Sequence, residues 1–395
     1  MSGDDLADLF YLTGLALPNT PKYRLAATMK VRGTQFRVQD LKGNLGSSDL
    51  QGQVEVQTAG ERPKLTAKLW SATLNMADLA PTLGTSAPKP PAEATDAAPD
   101  NDRVLPDADL QVNRVRGMDA DVTYKAGSVT APRIPMKAVA FHLVLADGVL
   151  TISHLSFVLD QGQFAGNVKI DARTDTPVSN IDMRINDVDL SQFKSAAMKQ
   201  APLQGTLLGR LQIHGKGSSI HKFAADSDGA MTVVIPHGQM SDVIVELTGI
   251  NVLKVLGLLL ANGQGQTEIR CGIVDFKDRQ GLLGSTTVFL DTSDVLITGR
   301  GKINLDSERI DLSLQGDPKK LRFLRLRSPI ALGGTLDHPT VGIDAKKLAV
   351  QAGVAAALGA LLTPVAAAIA FIDPGLAKNK QCADVMSQAD AGLQN

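Results

Sequence analysis

Apolar residues alternate along this chain, and that period decides what it can become. Between Leu50 and Gln57, the residues Leu50, Gly52, Val54 and Val56 fall on one side and Gln51, Gln53, Glu55 and Gln57 on the other. Ile181, Met183 and Ile185 alternate with Asp182, Arg184 and Asn186; Ile303 and Leu305 alternate with Lys302, Asn304 and Asp306. Ile310, Leu312 and Leu314 repeat the pattern against Asp311, Ser313 and Gln315. A period of two marks a strand with one apolar and one wetted face, the habit of antiparallel sheets. Turn signals such as Asp147-Gly148, Asp160-Gln161-Gly162, Asp228-Gly229 and Asn262-Gly263 separate the runs.

The alternation is itself repeated, at an offset of 114 residues without a gap. Leu25 matches Val139, Ala27 Phe141, Met29 Leu143 and Val31 Leu145. Phe36 matches Leu150, Val38 Ile152, Leu41 Leu155 and Leu45 Leu159. Gly52 then matches Gly166, Val54 Val168 and Val56 Ile170, and the match closes on Leu79 and Phe193. Any two alternating stretches resemble each other over a few residues; shared turn spacing from residue 25 to residue 79 requires a structural repeat. A weaker third echo surrounds Gly301, Ile303 and Leu305. Stacked units of this kind build a quasi-one-dimensional sheet. The expected fold is mainly β: an elongated, curved antiparallel sheet of stacked repeats forming an open hydrophobic groove, with a few helices at the carboxyl end.

The expected organisation follows. Residues 1–84 form the first repeat unit behind a short leading helix at Leu6–Tyr11. Residues 85–106, with Pro88, Pro90, Pro91, Pro99 and Pro106 among Ala, Asp and Thr, form a disordered loop. Residues 107–200 form the second repeat unit, and 201–343 a further β region with a helix at 241–261 capped by Ser241. Residues 344–395 form carboxyl-terminal helices. Within these, Ala352–Ile372 carries no charge over 21 residues, long enough to span a bilayer. Its alanines and the Thr363-Pro364 break fit two short helices on a sheet or at a membrane surface better than one span.

Composition excludes several classes. Forty Lys+Arg against 41 Asp+Glu leave a net charge of −1, not the basic excess of a general nucleic-acid binder. Two cysteines cannot make a four-cysteine zinc site. Aromatic residues are 4% of the chain, so its apolar content is aliphatic. The start, Ser2-Gly3-Asp4-Asp5, is not a secretory signal; the chain is expected to be cytosolic or a piece whose targeting segment lies elsewhere.

No catalytic constellation emerges. His142, His154, His214, His221, His237 and His338 include no H-E-x-x-H pair, and each reads as a satisfied or solvent-facing histidine. There is no G-x-S-x-G elbow. Ser191-Gln192-Phe193-Lys194 fits S-x-x-K without its companion motifs, and Gly215-Lys216-Gly217-Ser218 lacks Walker spacing. No Asp spacing fits an EF-hand. Neither an enzyme nor a cofactor is expected. The spacing of Cys271 and Cys382 leaves open whether they are buried thiols or a disulfide stapling the terminal helix to the sheet.

Several stretches in fixed order resemble the carboxyl-terminal half of the AsmA family of Gram-negative bacteria. They are Leu12–Leu25 with Leu41–Gly52, then Arg270–Phe276, then Gly333–Leu336 through Pro339-Thr340-Val341 and Thr363-Pro364 to Phe371–Ala377 and Cys382. The resemblance implies a non-enzymatic periplasmic protein, associated with the inner membrane through an anchor helix absent from this chain. It implies a grooved β structure serving outer-membrane biogenesis. One role is to bind or convey phospholipid acyl chains between inner and outer membrane. The alternative is an assembly factor regulating protein targeting to or insertion in the outer membrane, with outer-membrane β-barrel proteins as partners and no nucleic acid. The lipid-facing candidates are Val54, Val56, Phe141, Leu143, Val168, Ile170, Ile181, Met183, Ile185, Ile303 and Leu305. The oxidising compartment favours a Cys271–Cys382 disulfide, which would exclude a single span at 352–372.

Overall fold

The computed structural model describes residues 1–10, 14–15, 17–79, 103–107, 116–131, 134–193, 203–241, 266–319, 330–343 and Cys382. The expected helix at 241–261 beyond Ser241, the carboxyl-terminal helices, the segment 352–372 and residues 85–102 lie outside the described residues. Among the described residues, pairing joins 19 strands into one mixed sheet. The chain divides into two compact units, Met1–Asn186 with Leu211–Gly229, and Asp187–Arg210 with Ala230–Asn395.

The first unit opens with β1 (Ser2–Gly3) and a 3₁₀ turn at Leu6–Leu9. There Asp5 caps the turn by accepting from the Ala7 N–H at 2.9 Å. Four antiparallel strands follow: β2 (Tyr23–Arg32), β3 (Gln35–Leu45), β4 (Ser48–Gln57) and β5 (Lys64–Ser71). After them come β6 (Leu74–Asn75), a 3₁₀ turn at Met76–Leu79, β7 (Asp119–Ala126) and β8 (Val129–Thr130). A second antiparallel set is β9 (Met136–Ala146), β10 (Val149–Leu159), β11 (Gln163–Asp171) and β12 (Val178–Asp189); the last three residues of β12 and the 3₁₀ turn at Leu190–Gln192 that follows fall in the second unit.

These two sets are the repeat, matched to the residue. In β3 an extra residue intrudes between the pairs Ala26↔Lys42 and Thr28↔Gln39. In β10 the same irregularity falls between Ser153↔His142 and Ser156↔Ala140, 114 residues on. The bulge residues Asp40 and His154 share a left-handed φ of 53°. Beside each bulge sits a glycine. A Cβ on Gly52 (φ 150°) would lie 2.2 Å from the Lys68 carbonyl oxygen, and one on Gly166 would lie 2.1 Å from that of Asp182. Neither position has room for any side chain.

One joint departs from the expected antiparallel order. β5 runs parallel to β7, from Lys64↔Asp119 to Ser71↔Ala126, and β6 runs parallel to β8. Parallel neighbours need a long crossover, and the chain between β5 and β7 provides it. Residues 103–107 of this crossover are tied down. The Pro106 carbonyl accepts from the His221 N–H at 3.0 Å. Ser219 Oγ donates to Asp107 at 2.6 Å, and Arg103 Nη1 approaches His221 Nε2 at 2.8 Å. His221 belongs to a short helix, α1 (Ile220–Ala225), which Ser219 caps and which follows β13 (Leu203–Lys216).

The second unit holds β14 (Asp228–Ile235, whose first two residues fall in the first unit), β15 (Gly238–Ser241), β16 (Gln266–Arg279) and β17 (Leu282–Thr292). It continues through β18 (Val295–Asn304), β19 (Arg309–Pro318), β20 (Ile330–Gly334) and β21 (Pro339–Ile343). From β15 to β21 each strand pairs antiparallel with the next. The third echo holds at one glycine. A Cβ on Gly301 (φ 152°) would lie 2.1 Å from the Asp311 carbonyl oxygen, the same close approach that Gly52 makes to Lys68. Leu305 is not a strand residue. β18 ends at Asn304, and Leu305 lies in the following turn, its N–H donating to the Gly281 carbonyl at 2.8 Å.

Gly52→Ala and Gly166→Ala are each expected to destabilise the protein by about 1–3 kcal/mol in urea unfolding, through strain at a close backbone approach. Gly127→Ala, which meets only one atom at 4.0 Å, should stay within about 0.5 kcal/mol.

Candidate functional site

The strand registers of the first unit carry apolar residues straight across it. Met29, Val38, Val54, Ala67 and Val122 are successive cross-strand partners from β2 to β7. The row continues through Leu143, Ile152, Val168 and Ile181 to β12. A second row, two residues along each strand, runs Val31, Phe36, Val56, Leu65 and Ala120, then Leu145, Leu150 and Ile170. Nine strands at about 4.8 Å spacing make the first row roughly 38 Å long. The opposite face reads Lys30, Arg37, Glu55, Thr66, Asp121 across the same strands.

Of the sequence-predicted positions, Val54, Leu143, Val168 and Ile181 therefore share one row, and Val56 and Ile170 the next. Phe141 and Met183 lie on the same face beyond the bulge; Tyr124 pairs with Phe141, their ring centroids 5.4 Å apart. Ile185 pairs with Phe164, which pairs with Phe157. Ile303 belongs to the second unit, paired with Leu283 and Ile310.

The face is only partly covered. Leu15 and Leu17 pack on Ala120, Val122, Leu143 and Leu145; Leu6 and Leu9 pack on Tyr23, Leu25, Leu41 and Leu50. Leu74, Met76 and Leu79 cover Ala126 and Val139. Val168, Ile170 and Ile181 remain half-buried. At the β2 end Met29 and Val31 are 63% and 56% exposed. Alternation in the sequence marks the face; it gives no sign of Leu15 and Leu17, which lie outside any strand. Polar groups also reach this face: the Tyr124 hydroxyl donates to Ser71 Oγ at 2.9 Å, and burial pushes the tyrosine pKa up.

In the second unit Cys271 and Cys382 are joined by a disulfide. Cys382 packs with Val234, Ile273, Phe289, Leu208 and Leu296. Leu296 is on the side of β18 opposite Ile297 and Ile303, so the staple sits on the other face from that apolar stripe. A register shift between Ile269 and Cys271 turns the strand over at this point. Cys271 pairs in register with Asp291, which is fully buried and ion-paired with Lys319. Lys319 Nζ also donates to the Thr292 carbonyl at 2.5 Å. Among the described residues no cluster of His, Cys, Asp or Glu fits a metal ion, and no helix is long and apolar enough to cross a membrane.

Cys382→Ser is expected to cost about 2–5 kcal/mol in denaturant unfolding, because the bond closes a long loop; a reducing agent should lower the wild type to the same midpoint. Lys319→Met should cost about 3–5 kcal/mol by removing the cation beside a buried carboxylate. Adding Asp291→Leu to that variant should restore most of the loss, a coupling read from a double-mutant cycle.

A family model described as the AsmA family matches residues 2–288. The curated "AsmA family protein YhjG" of Escherichia coli (strain K12) is 27% identical over 402 residues, covering 98% of this chain. The chain spans 58% of that relative's length. No solved structure matches. The family model covers well over half of these 395 residues, both repeats included, and the chain belongs to the AsmA family.

Proposed function

We propose that this chain is a non-enzymatic envelope protein that holds phospholipid acyl chains along the apolar face of its first unit and conveys them between inner and outer membrane. The observation that carries the reading is the pair of unbroken apolar rows, the longer crossing nine strands. An isolated sheet face of this size would normally be closed by a second layer; here Val168, Ile170 and Ile181 are half-buried and Met29 and Val31 exposed. Acyl chains in one leaflet span about 15 Å, half of a bilayer's hydrocarbon core of about 30 Å, so each row has length for more than one. Aliphatic side chains offer no polar readout, which suits a tolerant conduit. A periplasmic location beside the inner membrane belongs to the same proposal.

Assembly of outer-membrane proteins is the alternative, and a different observation favours it. Beyond its pairing with β1, the outer edge of β2 from Ala26 to Arg32 has no strand partner among the described residues. A free edge accepts an added strand, as a factor assisting outer-membrane β-barrel proteins would.

Delipidated protein should take up a fluorescent phospholipid, and Val168→Asn with Ile181→Asn should weaken uptake at least about tenfold, a difference of about 1.4 kcal/mol, with the unfolding midpoint retained. Undiminished uptake in that variant sinks the conduit reading. Crosslinking to β-barrel proteins through β2, insensitive to the same pair, would favour the assembly reading.

A further inference from the structure

The polar face of the first unit carries a feature that acyl-chain binding does not use. Trp70, the chain's single tryptophan, stands on that face and is 47% exposed. Its cross-strand row runs Lys42, Gln51, Trp70, Lys125, then Ala140 and Ser156. Lys68 lies two residues before it on β5. Lys42, Lys68 and Lys125 are all exposed, and among the described residues none forms an ion pair. Most acidic groups around this row are engaged elsewhere. Glu55 pairs with Arg37 at 3.2 Å, and Asp121 with His142 at 2.8 Å. Asp119 lies 3.8 Å from Arg62. Asp49 accepts from the N–H groups of Ala72 and Thr73 at 3.0 and 2.6 Å. Asp40 sits at the bulge.

The fold does not demand an indole here. The equivalent position of the second repeat, 114 residues on, holds Arg184, and the equivalent of Lys68 holds Asp182. An exposed indole leaves apolar surface in water at a cost, and three exposed lysines around it concentrate cationic charge on this part of the sheet. Indole rings settle at the headgroup level of bilayers, with the ring in the apolar margin and the N–H wetted. Lysines beside them are drawn to anionic lipid. We infer that this face docks on an anionic phospholipid bilayer surface, with Trp70 seated among the headgroups and Lys42, Lys68 and Lys125 against the phosphates. The acyl-chain face looks the other way, so the two activities are separable.

Because Trp70 is the only tryptophan, its emission reports the contact directly. With the full chain and vesicles of phosphatidylcholine mixed with phosphatidylglycerol, the emission should move to shorter wavelength and the protein should co-sediment. Pure phosphatidylcholine vesicles should do neither, and high salt should reverse both. The combined Lys42→Gln, Lys68→Gln, Lys125→Gln variant, with its thermal midpoint retained, should bind at least about tenfold more weakly, since each lysine is worth about fivefold. Unchanged emission on the anionic vesicles overturns the inference, as does an equal shift with soluble polyphosphate, which would make the site a general anion patch. The Val168→Asn, Ile181→Asn protein should keep the shift; acyl-chain uptake lost with docking retained, or the reverse, tells the two readings apart.

Discussion

Everything in the first unit depends on register. With a side-chain period of two, one residue of slip in a single strand would send its apolar set to the wet face. The unit nevertheless inserts an extra residue in β3 and again in β10. It survives because the extra residue is absorbed against both neighbours at once. On β4 the pairing resumes at Leu41↔Gly52 after Val38↔Val54, and on β11 at Leu155↔Gly166 after Ile152↔Val168. The glycines then let the chain pass close under the next strand's carbonyl oxygen, where a Cβ would collide. Bulge and glycine form one device, and the apolar rows continue on either side of it.

That device separates two kinds of force in the fold. Backbone pairing places the strands; apolar contact only selects which face they share. The small covering pieces add burial: Leu15 with Leu17 over β7 and β9 midway along the rows, and Leu6 with Leu9 and Leu74 to Leu79 beside the bulged ends of the strands. The second unit, by contrast, buries apolar side chains on both sides of its strands. The shift beside Cys271 sends that residue, Ile273 and Phe289 to the side that receives Cys382, and leaves Ile297 and Leu314 in a separate cluster with Val295 and Ile269.

Much of this was legible from the residues. Alternation located the strands, and the 114-residue offset anticipated matching hairpins; the structure adds a 3₁₀ turn after each set, also 114 residues apart. Local signals do not reach the rest. The parallel pairing of β5 with β7 is made by residues on either side of a long crossover, so no turn motif announces it. The bulges were hidden because Asp40 and His154, not glycine, take the left-handed conformation; aspartate and histidine tolerate it better than most residues, which was the available hint. Leu305 continued the alternation in sequence, but the strand stopped one residue earlier. Spacing alone left Cys271 and Cys382 as two thiols or a pair; the family resemblance favoured the pair, and the structure joins them.

The parallel joint has an architectural consequence. Four antiparallel strands leave β5 running opposite to β2. Because β7 runs with β5 and β9 against β7, β9 enters in the same direction as β2. The second set is therefore the first moved sideways, neither inverted nor turned over. A body built by translation in this way keeps one side uppermost however many copies it holds. Its reach becomes a matter of gene duplication, adjustable in whole steps without redesigning any single strand.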